Sequence, residues 1–166
     1  MTDYPPNKSP ALISDAHLRA IGAICVIWST IEMAMELAIL GLYQIDHDRG
    51  LPLTSNIGFQ SRLALLRILA MRGAIKDPTE AKVCEEILNR IEKAYPKRNE
   101  AAHGLWAPTK SPYVAQRMAI RAKGNRLRCL KEPVTAAELE ETAGVLLVLH
   151  IDFTDLMTRL GLAKSA

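Results

Sequence analysis

Aromatic side chains make up only 5% of the 166 residues, and glycine and proline stand at nine each. That scarcity disfavours a β-sandwich, whose many short strands lean on aromatic residues and Gly- or Pro-bearing turns. The three cysteines, Cys25, Cys84 and Cys129, are odd in number and far apart. They make neither a disulfide framework nor a paired zinc site, and they point to a reducing, cytoplasmic setting. The first ten residues lack a basic start followed by an apolar run, so no secretory signal is expected. There is no Ser/His/Asp string, no glycine-rich phosphate loop and no internal repeat. The formal charge of +3 is too small to name a partner by itself.

What is abundant is Ala, Leu and Ile. With 49% hydrophobic and 23% charged residues, the chain has the balance of one folded soluble domain with a real core. Its most membrane-like stretch, residues 20–43, contains Glu32 and Glu36. Carboxylates are expensive in a bilayer, so a buried helix of a soluble bundle explains the stretch better than a membrane span.

Residues 1–13 are polar and Pro-rich, and are expected to form a mobile segment before a single domain over 14–166. Ser14 or Asp15 can cap a first helix to about Tyr43, with Leu18, Ile21, Cys25, Trp28, Ile31, Met35 and Leu42 at helical spacing. Gln44–Thr54 is rich in Asp, Gly and Pro and reads as a loop. A second helix is expected from Asn56 to Arg72, ended by Gly73, and a third opens at the Asp77-Pro78 cap. Pro96 should kink or restart that third helix, leaving Lys97–Gly104 as one or two turns. Residues 113–132 alternate instead, with Gly124-Asn125 at a turn, which predicts a β-hairpin at about 114–132. A short helix from Ser111-Pro112 to Lys123 is the alternative. Thr135-Ala-Ala-Glu138 is a capping box opening a last helix with a stripe of Leu139, Ala143, Leu146, Phe153, Met157 and Leu160. The expected fold is all-α: an up-and-down bundle of four to five helices with a small β-hairpin insertion before the C-terminal helix.

Charge is unevenly placed. Residues 97–132 hold nine Lys or Arg against two Glu, whereas the remainder is net acidic. On the hairpin, Met118, Ile120, Ala122, Leu127 and Cys129 fall on one face, and Arg117, Arg121, Lys123, Arg126 and Arg128 on the other. That basic face suits a polyanion such as RNA, although cations guarding sheet edges produce the same pattern.

The segment Arg98-Asn99-Glu100-Ala101-Ala102-His103-Gly104-Leu105-Trp106 stands above this background. Asn99 and His103 share a helix face, and Arg98 lies about 140° from His103 at roughly 100° per residue. A fixed cation, an amide and an imidazole at one helix end suit cleavage of a ribose phosphodiester. His103 is then the acid or base, Arg98 binds the phosphate, and Asn99 orients either group. No metal or other cofactor is required. The bland reading makes His103 a cap at a helix end with Gly104 as the C-cap. Trp106 reads as a core or interface anchor, and Glu32, one turn after Trp28, as a carboxylate partnered by Arg98 or by an unrelated cation. Glu36 is expected at the solvent or a dimer rim, His150 as a hydrogen-bonded core residue, and all three cysteines as small buried apolar groups. Asp46-His47-Asp48 has the composition of a metal ligand set, but a loop explains it as well.

The string R-N-x-x-A-H-G-x-W, with W-S-T-I-E at residues 28–32 upstream, resembles the HEPN superfamily of helical-bundle proteins found in bacterial toxins and defence systems. By position, that family's Arg, polar residue and His fall on Arg98, Asn99 and His103. The resemblance implies a metal-independent endoribonuclease acting as a homodimer, with RNA as substrate and an antitoxin protein as a further partner. It also implies an alternative, a non-catalytic dimeric HEPN-like binding or scaffold module.

Overall fold

The structure is a computed structural model describing residues 13–123 and 126–162, without the side chains of residues 121–128. The mobile segment expected over 1–13 lies outside it except for Ile13, which is buried. Among the described residues, five helices and one antiparallel sheet follow in order: α1 (Asp15–Tyr43), α2 (His47–Thr54), α3 (Phe59–Met71), α4 (Pro78–His103), β1 (Leu105–Pro108), β2 (Val114–Lys123), β3 (Arg126–Thr135) and α5 (Ala136–Arg159). The protein is thus mostly helical, with its β insertion before the last helix.

α1 forms where its periodicity places it. Ser14 occupies the N-cap, but its hydroxyl makes no backbone cap bond. It instead hydrogen-bonds Nδ1 of His17 at 2.7 Å, while His17 Nε2–H donates to the Val134 carbonyl at 3.1 Å. This fully buried histidine therefore ties the start of α1 to the end of β3. At the other end the Gly41 backbone approaches Leu162, just beyond α5. α1 and α5, the helices that pack most extensively on each other, consequently run parallel, a departure from simple up-and-down alternation. α4 lies antiparallel to α5, with Arg159 paired to Glu80 and Arg90 to Asp152.

Two expectations about the backbone are corrected. Residues 47–54 are a helix, because Asp46 caps it by accepting from the Asp48 N–H at 3.0 Å. Pro52 is accommodated inside that short helix, and Gly50 lets it lie close on α1, since a Cβ there would have to displace the Leu40 side chain. α4 also continues through Pro96 to His103 instead of restarting. Proline removes one N–H and crowds the preceding carbonyl, but 26 residues of packing on three neighbouring helices outweigh a local cost of about 3 kcal/mol. Asp77 and Pro78 open α4 as read from sequence, with the Asp77 carboxylate accepting from Thr79 N–H at 2.8 Å.

The core is built from one face of each long helix, including Trp28, Ile31, Leu63, Leu66, Leu88, Ile91, Leu146, Leu149 and Phe153. The α5 stripe is buried as expected up to Met157, with Leu160 at its edge. Of the α1 stripe, Trp28, Ile31 and Met35 are fully buried, whereas Leu18 is half exposed. α1 is long and apolar enough to cross a membrane by length and composition alone, and half of its most apolar window is buried in this fold. Glu36 is not at the solvent: α2 folds over it, and Thr54 Oγ and Arg62 surround its carboxylate. His150 is only half-buried and its ring makes no hydrogen bond to a described residue. Among the cysteines, Cys84 is buried, Cys25 intermediate and Cys129 exposed.

Candidate functional site

The sheet is what brings the motif into a cleft. β1 follows α4 after one glycine and pairs with β2, with Leu105 opposite Met118 and Trp106 opposite Arg117. β2 and β3 form the expected hairpin, with Ile120 opposite Cys129. Gly104 is the C-cap of α4, as read from sequence, but for a steric reason. A Cβ there would stand 2.5 Å from the Glu100 carbonyl oxygen and 3.0 Å from Cγ of Arg117. Only glycine lets the helix end approach the sheet so closely.

At that helix end the three motif residues meet. Arg98 Nη1 donates to Asn99 Oδ1 at 2.9 Å and lies 3.3 Å from His103 Nε2. Because a guanidinium only donates, Nε2 accepts, and the proton of the neutral ring sits on Nδ1. Both Nη1 hydrogens are thereby committed, whereas Nη2 makes no hydrogen bond to a described residue and keeps two donors for an oxyanion. The guanidinium is also held from below: it lies 5.8 Å from the Trp28 ring centroid, in cation–π geometry. Trp28 in turn packs on Phe59 and Tyr95, with centroids 5.0 and 5.7 Å away. Arg98 Nε–H is buried and meets no acceptor among the described residues. The W-S-T-I-E segment therefore supports the motif through its tryptophan. Its Glu32 is half-buried and forms no ion pair with Arg98 or any other described cation, so that expected partnership is not made.

His103 and Asn99 line an open cleft of about 560 Å³ between the end of α4 and the sheet, together with Met118, Ile120 and Leu130. Arg98 does not itself line the cleft and reaches it through its contacts with Asn99 and His103. Trp106 is anchored as expected, with its indole N–H donating to the Ala101 carbonyl at 3.1 Å and its ring against the core.

Arg117 has a different role from the one its place on the basic face suggests. Its Nη1 donates to Glu100 at 2.5 Å and its Nη2 to Glu132, leaving the side chain 16% exposed. Burial lowers its pKa, but hydrogen bonds to the two carboxylates outweigh that and raise it. A guanidinium so neutralised is a clamp between α4, β2 and β3 and is not a free phosphate contact. Sequence reading missed Glu100 and Glu132 as its partners, since they lie 17 and 15 residues away. The other four hairpin cations, Arg121, Lys123, Arg126 and Arg128, have side chains outside the described residues. Their backbone register sets Arg121 opposite Arg128 and Lys123 opposite Arg126.

No group of three or more metal-ligating side chains occurs among the described residues. Asp46-His47-Asp48 serves as the start of α2, with Asp46 as its cap. Compared with known proteins, the chain matches no family model, no curated protein and no solved structure.

Proposed function

We propose that the chain is a metal-independent endoribonuclease of HEPN type that works as a homodimer in the cytoplasm, as a toxin or defence component with an antitoxin protein as partner. The observation that carries this reading is the convergence of Arg98, Asn99 and His103 at one open helix end. Arg98 and Asn99 bind non-bridging phosphate oxygens, and the phosphate draws the guanidinium off Nε2. The freed Nε2 takes the proton of a ribose 2′-hydroxyl, and the 2′-oxygen attacks phosphorus as the bond to the 5′-oxygen breaks. The leaving oxygen receives a proton from a second imidazole, His103 of the other copy, giving a 2′,3′-cyclic phosphate and a 5′-hydroxyl. One protomer offers a single imidazole at this site, and that shortage is the chemical argument for a dimer. Arg121, Lys123, Arg126 and Arg128 hold the RNA backbone with little sequence choice, and single-stranded RNA is the favoured form.

The test is digestion of single-stranded RNA in EDTA by the wild type, His103→Ala and Arg98→Ala. Each variant should lose at least about 10²-fold in rate. Equal cutting by all three overturns the catalytic role. The stacking of Arg98 on Trp28 favours a second reading, in which the motif builds a dimeric binding module. In that case no RNA is cleaved under any condition, and both substitutions weaken dimerisation or ligand affinity.

A further inference from the structure

A second groove, of about 520 Å³, lies between α4, the end of β3 and α5, and the proposed reaction does not use it. Its apolar wall includes Trp106, Pro133, Leu139 and Val145. It shares Glu100, Arg117 and Glu132 with the His103 cleft, so the two cavities are neighbours across the Arg117 clamp.

Four cations and four carboxylates border this groove, but most are already satisfied. Arg117 holds Glu100 and Glu132, Arg90 holds Asp152 at 2.6 Å, and Glu138 is bound in its capping box. That leaves Lys93, Lys97 and Glu141 without an ion pair to a described residue. Lys93 and Lys97 are exposed and one turn apart on α4, on the helix that ends at His103. A groove with an aromatic and proline wall and two uncommitted ammonium groups on its rim matches a nucleotide: a flat, largely apolar base carrying an anionic phosphate.

We propose that this groove is a subsite for a nucleotide flanking the scissile bond, taking the base on its apolar wall and the phosphate on Lys93 and Lys97. The proposal rests on RNA being the ligand of the neighbouring cleft. An RNA strand leaving His103 then crosses the Arg117 clamp and runs along α4, away from the hairpin.

The experiment reads binding of a 5′-fluorescein-labelled single-stranded hexauridylate to a His103→Ala background, by anisotropy over a salt series. Lys93→Ala with Lys97→Ala should weaken binding about tenfold and shallow the salt dependence by about 1.4 in log–log slope. Val145→Trp narrows the groove without changing charge, at a residue 52% exposed and so safe for folding, and should weaken binding by a similar factor. Lys82→Ala removes an exposed charge, paired with Glu86, from the far end of α4 and should have little effect. In unlabelled titrations Trp106 fluorescence should be quenched, with buried Trp28 unaffected. Val145→Trp binding as tightly as the background overturns the subsite, as does Lys82→Ala costing as much as the paired Lys93→Ala, Lys97→Ala change. An acidic peptide that competes while the hexamer ignores Val145→Trp also overturns it, in favour of a protein partner. Cleavage in EDTA is scored separately. Wild type that cuts RNA while groove variants bind normally removes the subsite alone, and wild type that binds through the groove without cutting removes the nuclease alone.

Discussion

Replacing Glu36 by alanine should be among the most damaging single changes in this protein. Its side chain and that of Arg62 are 8% and 10% exposed, with Oε2 3.6 Å from Nη2. Thr54 donates its hydroxyl to the other carboxylate oxygen, and Arg62 reaches the Thr54 carbonyl at 3.4 Å. One residue each from α1, α2 and α3 therefore meet around a single carboxylate. Removing it strands a buried guanidinium whose Nε–H already lacks an acceptor among the described residues. Loss of one partner from such a pair costs about 3–5 kcal/mol. For a chain of this size that lowers Tm by about 6–20 °C. Removing both charges, as Glu36→Leu with Arg62→Met, should recover most of the loss because no uncompensated ion remains. Urea unfolding followed by far-UV circular dichroism, with linear extrapolation, measures both. A Glu36→Ala penalty under about 1 kcal/mol, or a double variant no better than the single, refutes the reasoning.

Pro96→Ala restores a backbone donor inside α4 and should stabilise the protein by about 1–3 kcal/mol in the same assay. Thr135→Ala removes the cap of α5 and should cost about 1 kcal/mol. The Thr135 backbone N–H, and then its hydroxyl, hold the Glu138 carboxyl below its ordinary range. That contribution is present above the unfolded carboxyl pKa and fades as pH falls through the folded value, so Glu138→Gln should flatten the acid limb of a stability–pH curve. Burial, aided by the charge of Glu85, pushes the Cys84 thiol up to about 11, whereas Cys129 is exposed. Iodoacetamide at pH 8, read by intact mass, should label Cys129 in the folded state and Cys84 only after denaturant is added.

The features legible in the sequence are those written over short spans. The α5 box and stripe, the Asp77-Pro78 start and the alternation that pairs β2 with β3 all depend on residues within a few positions of each other, while the expected Gly124-Asn125 turn lies outside the described residues. α2 was not legible, because Gly50 and Pro52 look like loop residues until Leu40 of α1 is packed against the glycine. β1 is four residues long and has no pattern of its own; it exists through pairing with β2. The contact of Arg98 with His103 follows from helix geometry, but its support by Trp28, some 70 residues upstream, does not. Arg117 shows the limit most clearly. Its alternation placed it with the hairpin cations, and only the fold reveals the two carboxylates that occupy it.

The parallel seating of α1 on α5 also governs how the molecule is made. α1 packs more extensively on α5 than on any other helix, yet more than ninety residues separate them in the chain. During synthesis α1, the most apolar of these helices, thus emerges well before α5 and waits for it to be sheltered fully. Closing that long loop is slow and leaves greasy surface open to chaperones, membranes and other nascent chains. Production of the protein should accordingly be limited by aggregation through α1, and co-expressed holdase chaperones should raise soluble yield without altering the finished fold.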